Sequence, residues 1–102
     1  MRLESYPSKK LKEAVLKIVK KYLSLEDYHI FIFGSRVTGR GNERSDIDIG
    51  IEGTKEVPFE VMGKIRAELE DLPILYKIEI VDFKKVSKDF REVALKHIEV
   101  IS

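Results

Sequence analysis

Residues 45–51 read SDIDIGI, and the strict alternation allows one conformation above all others. On an extended strand Ile47, Ile49 and Ile51 point to one side, and Asp46, Asp48 and Gly50 point to the other. A surface that is isoleucine on one face and aspartate on the reverse fits a sheet whose apolar side is covered by helices. Just upstream, HIFIF at 29–33 is an unbroken apolar and aromatic run, the pattern of a strand buried on both faces. The connection between them, GSRVTGRGNER, is rich in glycine and arginine.

Helical spacing flanks this pair of strands. Over 8–24, Leu11, Ala14, Val15, Ile18, Val19, Tyr22 and Leu23 recur at steps of three and four, with Ser8 as a candidate N-cap and lysines around the remaining surface. Over 57–72, Phe59, Met62, Ile65, Leu69 and Leu72 repeat the pattern, with Pro58 acceptable in the first turn and Pro73 ending the helix. ILYKIEIVDF at 74–83 alternates again as a third strand. Residues 88–98 predict a final helix with Phe90, Val93, Ala94, His97 and Ile98 inward. The expected architecture is one α/β (α+β) domain over 1–102, a small mixed sheet with helices packed mainly on one face and the acids on the partly open face.

Composition narrows the chemistry. The chain has 102 residues and a formal net charge of +1, so no overall field draws it to nucleic acid or to an anionic membrane. It has no cysteine, which removes disulfides, thiolate chemistry and thiolate zinc sites. No apolar run reaches membrane-spanning length and no signal core is evident, which makes the cytoplasm the expected location. Glutamine is absent and Asn42 is the one asparagine, a bias toward a thermophile source. His29 and His97 lack a second histidine or cysteine at ligand spacing and read as structural.

The chemistry must therefore come from a local cluster. Asp46 and Asp48 project from one side of a strand about 6.5–7 Å apart. Two ionised carboxylates that close repel unless a cation or proton lies between them, and magnesium binds such acids together with substrate phosphates. Taken alone the pair would suit a solvated strand face; the loop at fixed distance upstream turns the reading toward a metal site. Gly50, next on that face, would leave space for a bulky ligand. A third acid comes from strand 74–83. Ile78 and Ile80 belong with the core, so parity puts Glu79 on the metal side and excludes Asp82, unless a bulge at the strand end reverses them.

The loop supplies the anion-binding half. Gly34 falls where the chain must turn sharply, Ser35 adds a hydroxyl, and backbone N–H groups there can cradle phosphate. Arg36, Arg40 and Arg44 are spaced to surround an anion. The stretch is not a phosphate loop of the G-x-x-x-x-G-K-[ST] kind: Gly34 and Gly39 have the spacing, but Arg40 and Gly41 stand where lysine and a hydroxyl residue are needed.

Gly34-Ser35, Gly39 and then Ser45-Asp46-Ile47-Asp48 on a strand resemble the signature of the polymerase-beta-type nucleotidyltransferases. With a chain near 100 residues, the resemblance is to the minimal nucleotidyltransferases, the MNT group, which are commonly encoded beside a small helical HEPN toxin. It is dense over about 30–53 and recurs weakly around YKIEIVDF. It implies a polymerase-beta-like nucleotidyltransferase fold in which Gly34, Ser35, Arg36 and Ser45 serve nucleotide binding. Asp46 and Asp48 would bind two Mg2+ ions and Glu79 would complete the site, although the family usually has aspartate there. It further implies ATP as substrate and AMP transfer to a hydroxyl, typically of tyrosine, on the HEPN partner, silencing the toxin. Two alternatives stand beside this antitoxin enzyme: a non-catalytic antitoxin that inhibits by binding alone, and a small-molecule enzyme of the aminoglycoside type. A homo-oligomer or hetero-oligomer would supply a wall for the acceptor; neither a membrane nor a specific nucleic acid is expected as partner.

Overall fold

A computed structural model describes residues 8–34, 46–74 and 76–102. Helix α1 (Ser8–Lys20) leads into β1 (Tyr28–Phe33), then β2 (Ile47–Gly53), α2 (Phe59–Glu70), β3 (Ile78–Asp82), α3 (Lys88–Ala94) and a short β4 (Glu99–Val100). The strands form one sheet in the order β3-β2-β1-β4. β1 runs antiparallel to β2 and to β4, whereas β2 and β3 are parallel and joined through α2. The sheet is thus mixed, as the sequence predicts.

Isoleucine parity decides which face is the core. Ile30, Ile32, Ile47, Ile49, Ile51, Ile78 and Ile80 pack in one buried cluster with Leu11, Val15, Ile18 and Val19 of α1 and Met62, Ile65 and Leu69 of α2. Ile47, Ile49 and Ile51 are fully excluded from solvent; truncating any one to alanine would cost about 2–5 kcal/mol. The two helices are also tied at their ends, where Lys21 and the Tyr22 hydroxyl both donate to Glu68.

The opposite face has a second, aromatic cluster. Phe31, Phe33 and Phe83 are buried together, with Val81, Val86, Ala94 and Leu95 against them. Phe31 and Phe83 meet edge to face at 4.9 Å between centroids, Phe33 and Phe83 at 5.1 Å, and Phe90 of α3 adds its edge to Phe33 at 6.0 Å. Residues 30–33 of this run are therefore buried on both sides, through isoleucine one way and phenylalanine the other, while His29 is exposed.

Several expectations need correction. The first helix stops at Lys20 rather than 24, and the third strand begins only at Ile78. The last helix ends at Ala94, and Val93, His97 and Ile98 are exposed rather than inward, whereas Phe90, though 44% exposed, turns its ring onto Phe33 and Phe83. The chain turns there so that β4 can pair with β1, and Ile101 and Ser102 donate to the Ile30 carbonyl beyond it. Satisfying the backbone of the sheet edge outweighs another turn of helix. Nor does Gly50 open space for a ligand. A Cβ there would strike the rings of Phe31 and Phe83, so the glycine makes room for aromatic packing.

Candidate active site

The parallel pairing of β2 and β3 sets Asp48 directly beside Glu79, and on its other side Asp48 faces Phe33 of β1. Asp46 precedes β2 by one residue, on the side shared with Asp48. The next backbone N–H, that of Ile47, donates to the Lys77 carbonyl at 2.8 Å and fixes this end of the two strands in register. Neighbouring strands lie about 4.8 Å apart, so these three carboxylates occupy one small patch. Asp46 is exposed at its rim and Asp48 half-buried within it.

Gly34 closes the patch from the β1 side. Its φ is +87°, and a Cβ placed there would lie 2.5 Å from Asp48 Oδ2. A side chain at 34 would be strained by the backbone and would collide with the carboxylate. The turn leaving β1 therefore brings bare backbone against the Asp48 oxygen. Ser35, Arg36 and Ser45, the other residues assigned to nucleotide binding, lie outside the described residues, as do Arg40 and Arg44.

Electrostatics mark Asp48 as the strained member. Burial pushes its carboxyl above the usual carboxylate range, and the charges of Asp46 and Glu79 push it further. A half-buried carboxylate facing two more acids suits a hard divalent cation, which prefers oxygen ligands of this kind. Glu79 is turned aside in this structure: its Oε1 accepts from Lys77 Nζ at 2.9 Å. Among the described residues no three histidine or acidic side chains converge closely enough to hold a metal. The donor set fits a divalent cation in type, with Glu79 having to swing toward the aspartates to complete it.

Asp82 has a different job. It is buried on the isoleucine side of β3, where Oδ2 accepts the Val57 N–H at 2.8 Å and Oδ1 the Lys84 N–H at 2.9 Å. This carboxylate secures the segment entering α2 and the turn after β3. Lys77 has no part in the site expected from the sequence; its signal is the two-residue step to Glu79. The α3 wall has none either; Arg91 clamps it to Glu52 of β2 through two hydrogen bonds, Nε to Oε2 at 2.8 Å and Nη2 to Oε1 at 2.5 Å.

A family model described as polymerase beta, nucleotidyltransferase, matches residues 13–102. The chain belongs to that family. This nucleotidyltransferase is 29% identical over 101 residues to the probable protein adenylyltransferase MntA of Haemophilus influenzae, covering 97% of its own length and 89% of the relative's. Its fold resembles a chain of a toxin–antitoxin complex crystallised with AMP-PNP, with a TM-score of 0.72 and 16% identity over 89% of this chain and 72% of that one. It also resembles a chain from the complex of a tri-AMPylated Shewanella oneidensis HEPN toxin with its MNT antitoxin, with a TM-score of 0.67 and 14% identity over 89% and 68% of the two chains. At these identities the solved structures speak to the fold. The resemblance read from Gly34-Ser35 and Asp46-Ile47-Asp48 is borne out.

Proposed function

We propose that this nucleotidyltransferase moves AMP from ATP to a tyrosine hydroxyl of a HEPN toxin and so acts as its antitoxin. The observation that carries the reading is the seating of Gly34 against Asp48, with Glu79 in register beside it. One element approaches with open backbone and the other two bring acids, the arrangement that a metal-bound triphosphate needs. The adenylyltransferase relative, and the solved complexes containing AMP-PNP or an AMPylated HEPN toxin, support the choice of donor and acceptor.

Asp46, Asp48 and Glu79 are the residues that would hold Mg2+. When bound, Mg2+ lowers the pKa of an acceptor hydroxyl and neutralises the triphosphate. The acceptor oxygen forms a bond to the α-phosphorus while the bond from that phosphorus to the pyrophosphate oxygen breaks. The hydroxyl proton goes to Glu79 or to a neighbouring site carboxylate. Gly34 and Ser35 hold the triphosphate tail, with Ser45 nearby in the chain, and Arg36 offsets charge on the departing pyrophosphate. The residues position and neutralise rather than form covalent intermediates. ATP as donor suits a cytoplasmic setting.

A second reading, inhibition by binding alone, draws on the pairing of Glu79 with Lys77 rather than with the aspartates. Intact-mass spectrometry separates the two. Incubated with Mg-ATP and this chain, a HEPN partner is expected to gain whole AMP increments, and Asp46→Asn and Asp48→Asn to slow that gain roughly a hundredfold or more. A partner that stays unmodified yet bound and silenced, by the wild type and by both variants, would establish the binding-only reading.

A further inference from the structure

We infer that Lys77 is a positioning residue that acts as the resident counter-ion of Glu79, holding the third carboxylate away from Asp46 and Asp48 until a divalent cation displaces it. The inference rests on the reading of the three acids as a cation site. Lys77 immediately precedes β3 and Glu79 lies within it, two residues on, and Nζ and Oε1 are 2.9 Å apart. The backbone of Lys77 is fixed beside the site, because its carbonyl accepts the Ile47 N–H. Its ammonium also interacts favourably with Asp46, so a single cation serves two of the three acids.

The pair has a cost for metal binding. Among the described residues no three acids converge on one point, so Glu79 must swing toward Asp46 and Asp48 to share a cation with them, and that movement loosens the ion pair. The Lys77 side chain is 70% exposed and that of Glu79 is 41% exposed. An ion pair that exposed is weak. Lys77 is therefore a light latch rather than a lock, strong enough to quiet repulsion among the acids and weak enough for a divalent cation to open. Glutamate suits this arrangement, because its longer arm can swing between lysine and metal while its backbone stays fixed opposite Asp48.

Mn2+ binding to the full chain without nucleotide, followed by electron paramagnetic resonance of the free ion, tests this. Lys77→Met is expected to tighten Mn2+ binding about two- to fivefold, the range that an exposed ion pair allows. In a Glu79→Gln background the same substitution is expected to give a clearly smaller gain, since the partner that Lys77 restrains has lost its charge. Unchanged or weaker binding by Lys77→Met would overturn the inference. So would an equal gain in both backgrounds, which would reduce Lys77 to one more positive charge near the site. Asp48→Asn separates the two levels: if it binds Mn2+ as the wild type does, the cation-site reading fails, whatever Lys77→Met shows.

Discussion

At the scale of single residues, the site is held at a cost to the fold. Asp48 lies half-buried beside two other acids, and its carboxyl is pushed upward first by burial and then by their charge. The folded protein thus binds that proton more tightly than the unfolded chain does. Stability contributed at this position is greatest when Asp48 is protonated, and it falls as pH rises from the ordinary carboxylate range through the raised value. Once Asp48 is ionised the cost is present in full. Asp48→Asn keeps the shape and removes the charge, so it is expected to melt at least as high as the wild type at pH 7, by roughly a few degrees at most. The advantage should disappear below about pH 4. Thermal melts across pH check this, and the same variant should be inactive. Gly34 shows the complementary demand, since its positive φ and its closeness to Asp48 Oδ2 leave no place for a side chain.

At the scale of elements, β3 carries two acids with opposite fates, separated by parity. Glu79 faces the site beside Asp48, and Asp82 faces the core and binds two backbone N–H groups. Asp82→Ala is expected to cost about 1–3 kcal/mol in urea unfolding, because it strands the buried Val57 N–H, while the folded fraction keeps its activity. Glu79→Gln is expected to do the reverse, with stability kept and transfer lost. This division was legible in the sequence because period-two alternation is rigid: once Ile78 and Ile80 belong to the core, the side of every neighbour is fixed. What alternation does not encode was missed. β4 is two residues long, too short for a periodic signal, and exists because the β1 edge offers it partners. The aromatic cluster over Gly50 depends on how Phe31 and Phe83 converge from different strands, which no local pattern states.

At the scale of the whole molecule, the sheet separates stability from chemistry. One face is a continuous isoleucine core under α1 and α2. The other is divided between an aromatic wall beneath α3 and the acidic patch at the start of β2. The family was legible because the glycine-serine pair and the paired aspartates occur in fixed order within one short stretch, and each residue type answers a need of phosphate and metal. The acceptor was not legible in the residues themselves, because no local pattern of side chains in this chain specifies it. On the proposed function, Asp46, Asp48 and Glu79 share divalent cations beside Gly34. Crystals soaked with Mn2+ and a non-hydrolysable ATP analogue test it through anomalous diffraction. Manganese peaks in contact with Asp46 and Asp48, with Glu79 swung from Lys77 to complete the site, are the expected result. Manganese bound elsewhere, or none at these aspartates with nucleotide present, would contradict it.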